Sequence, residues 1–299
     1  MIIYYVLLAV SIILIVLKSS LYNAFAKKTL PTLKDIFAFN SISYFIAAFI
    51  GFIVFLLSVK TISLPTILCA IGYAVIVFSL QTLSVNAMKD GAMSLTSICV
   101  MYGMILPSIA GPIFWGETFC VRQGIGIVLM MVSLGLLGIT KKTDTQKISK
   151  KWIVLAVFCF ILSGFAGIME KIHQSTSGRP EKAGFVLIAC LCMFAFSISL
   201  RLFSNKNKLA PTESKKPMFS KPILIFGAIS GAVIGAVSIV NLTLSGALDS
   251  MIYYPVSNGG ALLLTVLVSG LFFKESFNKQ KILGIIMGLV GMVLLSIPV

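Results

Sequence analysis

A block of residues occurs twice in the chain, and its spacing restricts the fold more than any other feature. Glu117-Thr118-Phe119, Gly126-Ile127, Val132 and Leu136-Leu137 recur 158 positions later as Glu275-Ser276-Phe277, Gly284-Ile285, Val290 and Leu294-Leu295. Each block closes one half of the chain, and each half holds five long apolar stretches. An odd number of crossings turns the second half upside down relative to the first. The expectation is an all-α integral membrane protein of ten transmembrane helices, built as two inverted five-helix repeats over residues 1–140 and 152–299.

Composition supports the membrane class. Of 299 residues, 58% are hydrophobic and 11% charged, with a mean hydropathy of +1.05. A soluble domain carries about 25% charged residues, so one water-soluble core is excluded as the expectation. The apolar stretches run over 2–25, 35–58, 64–86, 92–115, 122–140, 152–172, 183–203, 221–244, 250–273 and 280–298. Each is near the roughly 20 residues that cross a bilayer as a helix. Barrel strands need alternation over about ten residues, and these runs are continuously apolar. The first run, Ile2 to Leu17, has no basic residues before it and is interrupted by Lys18, which reads as a helix rather than a leader.

The net charge of +15 comes from Lys and Arg in the short connections. Orientation and anionic headgroups account for it, and nucleic acid is not expected. Connections after the odd-numbered stretches hold most of the basic residues, among them Lys27, Lys28, Lys141, Lys142, Lys206, Lys208, Lys215 and Lys216. The positive-inside rule then places both termini outside the cell. Six cysteines include no C-x-x-C pair, and one histidine completes no zinc set, so no metal and no cofactor are expected.

Small residues recur every turn in two stretches: Gly227, Gly231 and Gly235, then Gly284, Gly288 and Gly291. Such stripes let helices approach closely, either inside the bundle of a monomer or between two copies in a homodimer.

Lys18 is the sharpest site candidate. An ammonium deep in a span costs about 2.5–3.5 kcal/mol on insertion scales. It therefore serves a wet cavity, or snorkels or pairs with a carboxylate such as Glu170. Tyr22 follows one turn later. Further neutral polar candidates are Asn40 and Tyr44 at i, i+4, Gln81, Asn86, Tyr102 and Asn241. The ninth stretch adds Tyr253, Tyr254, Ser257 and Asn258, where Pro255 and Gly259-Gly260 are expected to loosen the helix. Each of these residues also has a plain reading as an interhelical hydrogen bond. Glu170 and His173 end the sixth stretch, as gate residues or as interfacial anchors. Glu117 and Glu275 read as caps of the helices that follow them.

The closing units resemble the EamA-type domain of the drug/metabolite transporter superfamily. The resemblance rests on Trp115-Gly116-Glu117-Thr118-Phe119 with Gln123-Gly124-Ile125-Gly126, and on Phe273-Lys274-Glu275-Ser276-Phe277 with Lys281-Ile282-Leu283-Gly284. Helices Met93 to Phe114 and Met251 to Phe272 extend it over essentially the whole chain, with Pro107 where the family often has a helix proline. Mid-helix Trp-Gly, frequent in that family, is replaced here by Leu17-Lys18-Ser19-Ser20 and Phe165-Ala166-Gly167. The resemblance implies cytoplasmic termini, opposite to the charge rule. It implies a secondary transporter, an exporter or exchanger of a small metabolite, amino acid or drug, working by alternating access through a central cavity in a bacterial plasma membrane. Membrane lipids would surround it. The rival expectation is a lipid-headgroup carrier or flippase. No P-loop, H-E-x-x-H or in-span aspartate pair occurs, so an enzyme is not expected.

Overall fold

The structure is a computed structural model that describes residues 2–29, 32–58, 61–90, 99–118, 120–138, 150–176, 181–206, 220–273 and 279–296. These residues are helical with short connections. Among them ten helices follow in order: α1 (Ile2–Thr29), α2 (Leu33–Leu57), α3 (Leu64–Asp90), α4 (Ile105–Trp115), α5 (Val121–Gly138), α6 (Lys150–Thr176), α7 (Lys182–Lys206), α8 (Lys221–Ala247), α9 (Ser250–Phe273) and α10 (Lys279–Ser296). Six are long and apolar enough to cross a membrane, within α1, α2, α3, α6, α7 and α8. Cys99–Trp115, Val121–Ser133 and Ile282–Leu295 form shorter apolar helices.

Local chemistry sets the helix ends. Thr32 and Asp35 form a reciprocal capping box that starts α2, with Asp35 Oδ2 accepting from Thr32 N at 3.0 Å. α4 ends at Gly116, whose φ of 62° lies in the left-handed region that favours glycine. Two expectations need correction. The ninth stretch is not loosened at Pro255 or Gly259-Gly260, for α9 runs unbroken through both. Pro255 lies in the second turn, and the helix carries it without a break. The interruption falls in the fourth stretch instead. Helical backbone at 99–102 gives way to a turn at Gly103-Met104, tightened by bonds from Gly103 N to Val100 O and from Leu106 N to Gly103 O.

Helix contacts repeat when each helix is exchanged for the one five places on. α2 packs on α8, and α7 on α3; α3 packs on α6, and α8 on α1; α1 packs on α9, and α6 on α4. α2 also packs on its own counterpart α7, α4 on α9, and α5 on α10. Counterparts that touch run in opposite directions. Lys34 O, at the start of α2, accepts from Arg201 near the end of α7, while Gly51 lies against the Leu187 backbone. Gly126 packs at Leu295 and Gly291, and Ser133 Oγ donates to Gly284 O at 2.6 Å. The C-terminal end of α4 meets Ser250, the first residue of α9.

Both glycine stripes are consumed inside the bundle. A Cβ on Gly231 would lie 2.5 Å from Ser43 O, and one on Gly291 would lie 2.9 Å from Gly126 O. Backbone faces backbone at both places, so a methyl group has no soft neighbour to displace. Gly231→Ala is expected to cost about 1–3 kcal/mol through forced separation of α2 and α8. A thermal unfolding midpoint equal to that of the wild type would contradict this packing. Outward positions stay apolar: Phe45, Phe49, Phe52 and Leu56 of α2 are exposed, while Ala47 and Ala48 of the same helix are buried. An outer belt of this kind suits hydrocarbon surroundings.

Candidate functional site

Polar side chains from α1, α2, α3 and α6 meet in the interior of this apolar bundle. Lys18 and Tyr22 stand one turn apart on α1, on nearly the same face. Asn40 and Tyr44 repeat that spacing on α2. Gln81 of α3 joins them: its amide donates to the Tyr22 hydroxyl and, at 3.3 Å, to Asn40 Oδ1, while the Tyr44 hydroxyl donates to Gln81 Oε1. Phe39 closes the far side, edge-on to Tyr22 with ring centroids 5.1 Å apart. Asn40 is fully buried, and its Nδ2 has no hydrogen-bond partner among the described residues. An amide donor in that condition carries a desolvation cost until an acceptor reaches it.

Glu170 of α6 forms the second part of the seam. The expectation of an interfacial anchor is overturned, because the residue is 8% exposed. Its helix continues to Thr176, well past the expected end at 172, which draws the carboxylate inside the span. Tyr73 of α3 donates to Glu170 Oε1 at 3.0 Å. Phe185, Val186, Ala189, Cys190, Met193 and Leu242 surround this pair around a cavity of ≈10 Å³, room for about one water. Lys18 is half-buried, and its charge acts on that of Glu170. Tyr253 and Tyr254 of α9 lie within electrostatic reach of Glu170 as well. At this seam the described residues leave space for about one water and not for a solute.

His173 is also no interfacial anchor. It is 2% exposed and belongs to a third cluster, nearer the face at which α1 begins. Its Nε2 lies 3.1 Å from Thr66 Oγ1 and its Nδ1 lies 2.9 Å from the Gln174 amide. Glu181, just ahead of α7, accepts from Thr66 Oγ1, from Ser63 N at 2.9 Å and from Ser63 Oγ at 2.8 Å. Burial by itself pushes the Glu181 carboxyl up. The bonds from Thr66 and Ser63, with His173 nearby, outweigh it and hold the group below the usual carboxylate range. This tie contributes in full above the unfolded value of about 4.3 and is lost as pH falls through the lower folded value. The melting-temperature gap between wild type and Glu181→Ala should therefore narrow below about pH 4. A gap that widens on acidification would contradict the assignment.

Glu117 acts as a cap, but not on the helix that follows it. The left-handed turn at Gly116 aims it across the bundle, where Oε2 accepts from Ser250 N at 2.7 Å and Oε1 from Ser250 Oγ at 3.1 Å. It thus satisfies a free N–H at the start of α9, where the helix dipole favours a carboxylate. Lys171 pairs with it at 2.6 Å and donates to Leu248 O at 3.2 Å. α5 is capped locally instead, with Gln123 Oε1 accepting from Cys120 N.

Several expected site residues are placed elsewhere. Tyr102 does not line the seam; its hydroxyl donates to Met131 O of α5 at 2.7 Å. Asn241 accepts from Ser11 of α1 at 2.5 Å and joins α8 to α1. Asn258 donates to Tyr254 O of its own helix, and Ser257 is buried. Tyr254 donates to Gly167 O at 2.5 Å and fixes α9 against α6. Glu275 and the side chain of Asn86 lie outside the described residues. The sequence reading missed Tyr73, Thr66 and Glu181. Tyr73 carried a signal, a phenol in the middle of an apolar run; the other two sit at helix ends, where polar residues are ordinary.

No family model matches the chain, and no curated protein matches it. The fold does have solved counterparts, with 28 matching chains. One, described only as a crystal structure of a protein, superposes with a TM-score of 0.77 at 12% identity, over 98% of this chain and 96% of that one. At this identity the likeness speaks for the fold alone.

Proposed function

We propose that the chain is a secondary transporter of the drug/metabolite transporter superfamily. Its ten helices would cross a bacterial plasma membrane as two inverted five-helix repeats. It would carry a small organic metabolite, amino acid or drug, as an exporter or exchanger, by alternating access along the polar seam. The observation that carries this reading is the seam itself. Lys18, Glu170, Tyr73, Tyr22, Gln81, Tyr44 and Asn40 collect polar and charged groups inside an otherwise apolar bundle. Ionisable groups at such depth are expensive and serve a substrate or ion path by default. Two further facts support it. Touching counterpart helices are antiparallel, as inverted repeats require. Glu117 also sits at the first residue of α9, while Phe273 ends that helix roughly 35 Å away by helical rise.

Purified protein in proteoliposomes tests the reading. Saturable uptake or exchange of a solute found by thermal-shift screening is the expected result. Lipid scrambling without solute flux would instead favour a headgroup carrier, and neither activity would overturn the proposal. Orientation is tested separately in intact cells, with Ser214→Cys on a background without native cysteines. The charge rule predicts protection from an impermeant thiol reagent, and ready labelling would reverse the orientation.

A further inference from the structure

Phe185 stands between the two polar clusters that α3, α6 and α7 share. On its outer side are Thr66, His173 and Glu181, and the His173 ring lies 4.4 Å from that of Phe185. On its inner side is Tyr73, with ring centroids 5.3 Å apart, and Tyr73 holds Glu170. Phe185 is 2% exposed and lines the small cavity beside Glu170. Beyond the outer cluster, toward the face at which α1 begins, a wider cavity of ≈270 Å³ opens between Tyr4, Gln174, Lys182 and Thr243. Gln174 links the two zones, for it lines this cavity and bonds to His173. The order from outside to inside is a wide polar mouth, a hydrogen-bonded latch, an aromatic ring, and the buried carboxylate.

We propose that Phe185 and the Glu181 latch form the closed gate on this face of the bundle. Phe185 is the plug that keeps water and solute from Glu170. Glu181 is the positioning residue: it ties the start of α7 to the start of α3 through Ser63 and Thr66, and so holds the plug four residues further on. The physical argument is continuity. Polar groups on both sides of the ring would support a water path, and the ring is the apolar element between them; a constriction of this kind closes by excluding water. The latch bonds join three different helices, so parting α7 from α3 and α6 must break them. Opening then moves the plug and exposes the inner cavity in one motion. This proposal rests on the transport reading for its purpose, but its test does not depend on flux.

Cys190 supplies the test. It lies one and a half turns beyond Phe185 on α7, is 1% exposed, and lines the same cavity as Glu170. The other five cysteines, Cys69, Cys99, Cys120, Cys159 and Cys192, are replaced, and the protein is placed in nanodiscs. The rate of Cys190 modification by a small, charged methanethiosulfonate is then measured. Phe185→Ala is expected to raise the rate by about tenfold or more, and Glu181→Ala to raise it by a smaller factor, because labelling follows the open population. Each variant is first checked for monodisperse elution. If Phe185→Ala fails to fold, Phe185→Leu and Glu181→Ala carry the decision. Unchanged labelling in the folded variants overturns the gate. Gated labelling without flux leaves the gate standing and removes the transport reading; flux with ungated labelling does the reverse.

Discussion

Glu170→Gln is expected to reduce solute flux by about tenfold or more while leaving a folded protein. The side chain keeps its shape, and the carbonyl of the substituted amide can still accept from Tyr73. What is lost is the charge. Phe185, Val186, Ala189 and Met193 give the carboxylate an apolar surround, and the Lys18 charge acts on it. An ionisable group deep in an apolar bundle serves a substrate or ion path by default, so its charge matters to transport even where the fold does not depend on it. Lys18 is half-buried and can keep some hydration, so the loss is expected mainly in transport and not in the melting temperature. Proteoliposome flux and thermal unfolding, measured on the same preparation, separate the two. Wild-type flux in Glu170→Gln would remove Glu170 from the mechanism.

Lys18→Met is expected to lower flux by about tenfold or more, again with the fold intact. Methionine keeps length and packing and removes only the ammonium. Lys18→Arg should retain part of the activity, since it preserves the charge at nearly the same reach. The two seam residues are expected to act as a unit. If Lys18 works through Glu170, the double variant with Glu170→Gln is no worse than Glu170→Gln alone, the non-additive behaviour of groups in one interaction. Additive losses would mean that the two charges serve separate sites. A wild-type flux in Lys18→Met would sink the role given to Lys18.

Much of this site is legible in the amino-acid sequence. Lys18, Tyr22, Asn40, Tyr44 and Gln81 are all candidates there, because polar residues in long apolar runs are costly and helical spacing puts the first four in two same-face pairs. Glu170 is visible but misplaced. The apolar run ends at 172, whereas the helix continues through Gln174 and Ser175 to Thr176. Hydrophobicity marks where a run stops being greasy, not where a helix stops. Tyr102 shows a different limit: its place in an apolar run does not say which neighbour its hydroxyl meets, and the structure gives it Met131 O.

The sequence by itself determined the helical class, the apolar surface and the duplication that closes each half. These follow from composition, run length and a recurring block, which need no knowledge of neighbours. Only the tertiary structure decided which helices touch. Glu117 caps Ser250 across 133 positions, and Thr66 meets Glu181 across 115. Nothing local to either residue specifies its partner. In an apolar bundle, hydrophobic contrast cannot choose between helix faces, so the choice falls to close shape. Gly231 against the Ser43 backbone and Gly126 against Gly291 set the spacing of α8 on α2 and of α5 on α10.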